Sequence, residues 1–288
     1  MADISAAVVV KLRKLSGQSM GECKKALEEA NGDMDKATEI LRKKGMATLA
    51  KRAERETTEG AVVAWQSSDG KTAAMATLCC ETDFVSKSDD FVALAGNLRE
   101  YIAKGAPKAG AATVLETVMA GKNFQEILTE VVSKTGEKMQ VGDYVRFNLS
   151  GPGIIGLYVH FNKKVGSMVQ IDTDSEKTAQ SEAIKQAAAD FAMHITASKP
   201  IALDPSGIDP QMVEKERAIY AEQVKNKPAA VVEKIVDGKL KKFYSDYCLI
   251  LQPFVKDDSK SVEQVLAEAA KQAGGKATIK QFVRLEVG

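Results

Sequence analysis

The 288-residue sequence has only two histidines, four cysteines and one tryptophan. Each shortage removes a class of protein. With His160 and His194 alone, a histidine-rich metal centre is excluded and imidazole base chemistry has few candidates. Cys23, Cys79, Cys80 and Cys248 form no CxxC pair, and the adjacent Cys79 and Cys80 point to opposite faces of any strand. A disulfide framework is not expected, and a reducing compartment is the simpler setting. No uncharged apolar stretch reaches the roughly 18 residues that a spanning helix needs. At the start, Asp3 precedes the apolar run 6–10 and Lys11 and Arg13 follow it, the reverse of a signal peptide. The expected location is the cytoplasm, with no membrane partner. Lys and Arg number 40 against 39 Asp and Glu, so the net charge of +1 supplies no global field for nucleic acid. What is present, 44% hydrophobic and 27% charged residues, is the composition of a folded protein.

The first 50 residues read as a small three-helix module. Ile4, Val8, Leu12 and Leu15 recur at helical spacing, and Ser16-Gly17 breaks the run. Ser19 followed by Glu22 predicts a capping box ahead of a second helix with Cys23, Ala26, Leu27 and Ala30 on its inner face. Asn31-Gly32 ends that helix and Asp33 caps a third, with Met34, Ala37, Ile40 and Leu41 inward. Arg42, Lys43 and Lys44 suit its negative end, and Gly45 follows. The run KRAERETTE at 51–59 has no apolar face and balanced charge, which predicts a solvated helix extension or linker.

The remainder reads as an α+β core with an internal repeat. GAVVAW at 60–65 is a strand, Ser67 to Gly70 a turn, and 72–80 a second strand. Phe91, Leu94, Ala95 and Leu98 mark a helix capped by Ser88 or Asp89, and a second helical region spans roughly 113–135. The β pattern then returns. Val145, Phe147 and Leu149 alternate with polar residues, as do Leu157, Val159 and Phe161, and 166–172 is a further strand. Ala183, Ala187, Phe191 and Ile195 form the next helix. Glu81-Thr82-Asp83 closes the first hairpin and Asp172-Thr173-Asp174 the second, so one hairpin-plus-helix plan is used twice.

The expected division is a module at 1–50, a linker at 51–59, a first core lobe at 60–140 and a second at 141–203. An inserted antiparallel helical hairpin at 204–245 interrupts the second lobe, which returns at 246–288. Its helices, about 211–225 and 229–243, flank Pro228, with Val213, Ile219, Val224, Val232, Ile235, Val236 and Leu240 as the seam. Such a projecting hairpin is expected to touch another chain, a second copy being one candidate.

LRKLSGQSMGECKKALEEANGD at 12–33 and CCETDFVSK at 79–87 resemble two signatures of the bacterial elongation factor Ts family. MHITASKP at 193–200, LKKFYSDYCLILQPFVKD at 240–257 and FVRLEVG at 282–288 extend the resemblance over almost the whole chain. It implies a ubiquitin-associated-like first module and a guanine-nucleotide exchange factor for elongation factor Tu, met in its GDP-bound and nucleotide-free states. In the family, residues matching Asp83 and Phe84 enter the partner's nucleotide domain, where the phenylalanine wedges between helices and the aspartate disturbs the magnesium site. Thr82, Asp83, Phe84 and Val85 are thus the implied site, with Arg13, Met20, Gly21 and His160 as further partner contacts. Gly21 is often methionine in the family, which reduces that contact. Thr196 stands where alanine is usual, a change expected to alter packing only. Some members extend past the last strand in a helix that touches the partner; this sequence stops at Gly288, so that contact is not carried over.

Without the resemblance, the same residues read more plainly. Asp83 is then a turn or cap residue and Phe84 a staple onto Phe91 or Leu94. His160 is a solvent-facing strand histidine and His194 a structural one. A helical adaptor binding through its first module is a second reading. An enzyme ranks last, because the chain shows no nucleophile–base pair, phosphate loop or metal cluster, and neither a cofactor nor a catalytic residue is expected.

Overall fold

Residues next to the helix ends fix the first module. The computed structural model describes residues 4–104 and 110–288; Asp3 lies outside them. Helix α1 (Ala6–Ser16) closes where Gly17 turns left-handed at φ 68°. Helix α2 (Met20–Glu29) starts with the Ser19 hydroxyl accepting the Glu22 amide at 3.2 Å. Only that half of the capping box forms, because the Glu22 carboxylate turns instead to Lys25 and Lys44, 3.6 Å from each. Asp33 starts α3 (Met34–Lys51), its carboxylate accepting the amides of Asp35 and Lys36 at 3.0 and 3.1 Å. Val9, Leu12, Cys23, Ala26, Leu27, Ala30, Ala37 and Leu41 make the core.

Two expectations fail here. Leu15 is 70% exposed, since the chain turns away at Gly17 and the buried Gln18 takes the inward place. Gly45 does not end α3, which continues to Lys51. A Cβ on Gly45 would lie 2.8 Å from Ser133 Cβ and 2.9 Å from the Thr129 carbonyl, so this glycine is a helix-crossing point.

The core has two sheets. Strands β1 (Glu59–Gln66) and β2 (Thr72–Cys80) form a hairpin, followed by the one-turn helix α4 (Asp83–Ser86) and α5 (Asp89–Lys104). Then come α6 (Ala111–Glu116), the small ribbon β3 (Val118–Met119) and β4 (Lys122–Asn123), and α7 (Phe124–Thr135). The single helical region expected at 113–135 is therefore broken, by a turn in which Ala120 and Gly121 both take positive φ. Strand β5 (Met139–Asn148) pairs antiparallel with β2, giving the order β1-β2-β5. The alternation at 145–149 thus belongs with the first sheet, not with the second half of the core.

The second half repeats the plan. Hairpin β6 (Gly153–Val159) and β7 (Val165–Thr173) leads to the one-turn helix α8 (Glu176–Ala179) and α9 (Glu182–Ser198). The inserted helices α10 (Pro210–Gln223) and α11 (Ala229–Tyr247) follow, then β8 (Pro253–Phe254), β9 (Asp257–Ser261) and α12 (Val262–Ala273). The last strand, β10 (Ala277–Glu286), completes the order β10-β7-β6. In the insertion Val236 and Leu240 are buried, but Ile219 of the expected seam faces solvent.

Each sheet has its own helical cover. Phe91, Leu94, Leu98, Phe124 and Val132 pack on the first, and Ile184, Phe191, Ile195 and Leu266 on the second. The opposite faces meet, with Val62, Met75, Phe147, Ile155, Met168 and Leu285 between them. Because β2 is covered on both sides, its sequence TAAMATLCC shows no polar alternation. Cys80 faces the helices and Cys79 the other sheet.

Candidate partner-binding site

Between β2 and α5 the chain makes a tight tip held by side-chain hydrogen bonds. The Thr82 hydroxyl accepts the Val85 amide at 3.3 Å, capping α4, and donates to Glu137, with its two oxygens at 3.0 and 3.2 Å. Ser86 Oγ donates to the Asp83 carbonyl at 2.9 Å, and Ser88 Oγ to that of Val85 at 2.8 Å. Ser88 also accepts the Phe91 amide at 3.2 Å, which starts α5. Asp83 pairs with Lys87 at 2.8 Å across one turn, and that ammonium holds its carboxyl below the usual carboxylate range. Val85 packs onto the core of the first sheet.

Phe84 is left out of all this. Its side chain is 83% exposed, so it is not a staple onto Phe91 or Leu94. Asp83 is the first residue of α4, and Thr82 supplies the cap. The tip therefore holds an acid and an aromatic ring outward on a backbone whose hydrogen bonds are met locally. Such an arrangement is suited to insertion into another surface, since exposing the ring is offset only if it is buried elsewhere.

The base of the tip is charged and well ordered. Glu81, with its side chain 11% exposed, accepts Arg52 Nη1 at 2.8 Å, Arg55 Nη1 at 2.9 Å and the Lys138 amide at 2.6 Å. Burial alone would raise its carboxyl, but these three donors outweigh that and hold it at about 2. The connector at 51–59 is therefore anchored at its arginines and is not a free solvated linker.

The other implied contacts are spread over the molecule. Arg13, Met20 and Gly21 lie exposed on α1 and the start of α2, and the space where a Gly21 side chain would stand is nearly open. His160 is in the turn after β6, its Nδ1 3.1 Å from the Tyr158 hydroxyl. That turn approaches the tip: a hollow of about 370 Å³ is lined by Ser86, Val92 and Arg99 on one side and Val159 and Lys163 on the other. Phe161, expected inward with Leu157 and Val159, is 87% exposed, its ring centroid 4.3 Å from that of His160. Strand β6 ends at Val159 and the turn resets the alternation, with Lys163 at φ 58°.

The remaining singled-out side chains are internal. His194 is fully buried. Its Nδ1 accepts the Val255 amide at 3.2 Å, which leaves Nε2 as the donor to Gln252 Oε1 at 2.9 Å. Burial lowers its pKa, against the Gln252 bond. Thr196 does more than pack, donating to Ser167 Oγ at 3.0 Å and to the Ala192 carbonyl at 3.2 Å. Burial pushes the Cys80 thiol up to about 12, an unreactive setting. Among the described residues no helix is long and apolar enough to cross a membrane.

The family model of elongation factor Ts matches residues 81–288, beginning at the tip. The elongation factor Ts of Nitratiruptor sp. is 42% identical over 287 residues, covering 99% of this chain and 93% of that protein. That of Nautilia profundicola is 41% identical over 297 residues, covering 100% and 94%, and that of Clostridium perfringens 38% identical over 287 residues, covering 99% and 93%.

Proposed function

The chain belongs to the elongation factor Ts family, and on that premise we propose that it is the guanine-nucleotide exchange factor of elongation factor Tu in the cytoplasm. It promotes GDP release by disturbing the partner's Mg²⁺ and phosphate site, and it stabilises the nucleotide-free state. The observation that carries this reading is the outward Phe84, 83% exposed on a one-turn helix capped by the Thr82 hydroxyl.

The chemistry suits the task. Mg²⁺ is a hard cation that demands near-octahedral oxygen ligands, and phosphates are held by aligned backbone amides. A ring driven between helices shifts those amides, and a carboxylate brought near the cation competes for it. Burying one phenylalanine contributes roughly 1.5–3 kcal/mol, or about one to two decades in an equilibrium constant. Displacing a tightly held nucleotide takes more, so Arg13, Met20, Gly21 and His160 are assigned to a broader interface that holds the partner while Asp83 and Phe84 act. Coupling is reciprocal: as the complex weakens GDP, GDP weakens the complex equally. No bond is made or broken by this chain, so it is not an enzyme in the usual sense. The helical hairpin is the surface proposed for a second copy, with Ile219 and Met212 exposed on α10.

The test is release of fluorescent GDP from elongation factor Tu, chased with unlabelled nucleotide. Release accelerates when the protein is added, and Asp83→Ala and Phe84→Ala each lose most of that acceleration while keeping the wild-type melting temperature. Equal release with protein and with buffer overturns the function; full activity of both variants overturns the site.

A further inference from the structure

Among the described residues, the groups that grip the base of the tip come from two places, the residues just after α3 and those just after α7. Arg52 and Arg55 follow α3 and take the two Glu81 oxygens at 2.8 and 2.9 Å. Glu137 and Lys138 follow α7. The first accepts the Thr82 hydroxyl, and the second gives its amide to Glu81 and its ammonium to the Ala53 and Arg55 carbonyls, at 2.7 and 2.8 Å. The two helices are themselves locked together. Gly45 lets α3 lie against Thr129 and Ser133, and Arg42 pairs with Glu126. A closed ring results: α3, the arginines, Glu81, Lys138, α7 and back to α3.

Resting on the exchange reading above, we infer that Glu81 is a positioning residue, clasped by Arg52, Arg55 and the Lys138 amide so that the tip presents Phe84 at a fixed angle. The last helix of the first module is thereby part of the mounting of the tip. This role is separate from the module's own contact surface at Arg13 and Met20. The surroundings fit it: an exposed, solvent-screened pair contributes little, but the Glu81 side chain is only 11% exposed and has two guanidinium donors and one backbone donor. Arg52 is the better shielded of the two arginines, 28% exposed against 58% for Arg55, so it carries the larger share.

Two roles for this clasp give different kinetics. A positioning role acts after the complex has formed, through the fraction of complexes in which Phe84 is seated. A merely structural brace acts by reducing the amount of folded protein. The experiment measures fluorescent GDP release from elongation factor Tu against a titration of full-length protein, for wild type, Arg52→Ala/Arg55→Ala, Glu81→Gln and Phe84→Ala. Coupling of this kind changes an equilibrium by about 5- to 150-fold. The double arginine variant and Glu81→Gln are expected to lower the plateau rate about tenfold with an unchanged half-saturating concentration. Arg52→Lys/Arg55→Lys, which keeps both charges, restores part of the plateau. A wild-type plateau reached at higher protein concentration makes the clasp a brace and overturns the inference. If Phe84→Ala collapses the plateau and the arginine variant keeps it, only the clasp falls. If Phe84→Ala also keeps it, the tip reading falls and the clasp with it.

Discussion

The two halves of the core carry the same device in different surroundings. In both, a β-hairpin ends, a hydroxyl caps a one-turn helix, and a serine six residues later caps the long helix that covers the sheet. Thr82 and Ser88 do this in the first half, Ser175 and Ser181 in the second. The caps thus align two residues beyond the acidic tripeptides that the sequence offers for superposition, and Phe84 corresponds to Lys177. Around Lys177 the turn is closed in. Thr178 and Ala179 are buried, Thr178 Oγ1 donates to Asp174 at 2.8 Å, and Glu176 pairs with Lys71 from the first hairpin. At Phe84 the ring itself stays uncovered, while the neighbouring Val85 packs on the first sheet. The fold needs the one-turn helix but does not need an aromatic ring on it, so the ring's exposure is a property of the site and not of the architecture.

The comparison is broken most sharply by giving the first half the second half's residue. Phe84→Lys removes the ring and keeps a long side chain. Its exchange plateau is expected to fall by about one to two decades, the equivalent of one buried phenylalanine. Calorimetry checks that the melting temperature is unmoved, as an 83%-exposed side chain requires. A plateau near wild type would mean that the two tips are functionally alike.

The next effect is on stability and falls on the second half alone. Gly275 lies over the α8 turn, where a Cβ would be 2.1 Å from Thr178 Oγ1 and 2.6 Å from Asp174 Oδ1. Gly275→Ala forces those groups apart in a packed site and is expected to cost about 1–3 kcal/mol. Denaturant unfolding measures it, and exchange by the folded fraction stays intact. An unchanged midpoint would show that the packing around the second tip is not needed for stability.

Acid separates the halves by a smaller margin. His194 is a base whose pKa burial lowers below its ordinary 6.5. The unfolded chain takes the proton first, so its contribution is present above pH 6.5 and is lost as pH falls below it. Glu81 is an acid held at about 2 against an ordinary 4.5, and its contribution is lost only as pH falls from 4.5 towards 2. The second half should therefore loosen first on acidification. Amide hydrogen exchange of α9 and α5 at pH 7 and pH 5 reads the two separately; a simultaneous loss would refute the separation.

Much of this was legible in the residues. Asp33, Ser88 and the Gly17 turn announce helix ends through local chemistry, and the α+β class follows from two periodicities alternating along the chain. The tip is legible as a motif, while its exposure is not: hydrophobicity and spacing alone favour placing Phe84 against Phe91 or Leu94. What stayed hidden is non-local. Gly45 looks the same as a helix stop or as a crossing point until Ser133 is beside it. Arg52 and Arg55 in a balanced charge run gave no sign of Glu81, 29 and 26 residues away. β5 could have extended either sheet, because its alternation suits both.

The smallest expected effect is also the strictest use of the comparison. Lys177→Phe puts the missing ring on the second tip, where the side chain is exposed and the backbone is already capped. An exposed substitution of this kind changes stability by no more than about 0.5 kcal/mol. On the reading that a ring acts only where the rest of the interface delivers it, the variant adds nothing to exchange, and Lys177→Phe/Phe84→Lys is as impaired as Phe84→Lys alone. The first tip differs from the second in its neighbours as well as its ring: the His160 turn across the hollow, and the clasp on Glu81 from Arg52 and Arg55. If the double variant instead recovered exchange in the fluorescent GDP assay, those neighbours would be dispensable. An aromatic ring on either one-turn helix would then be enough.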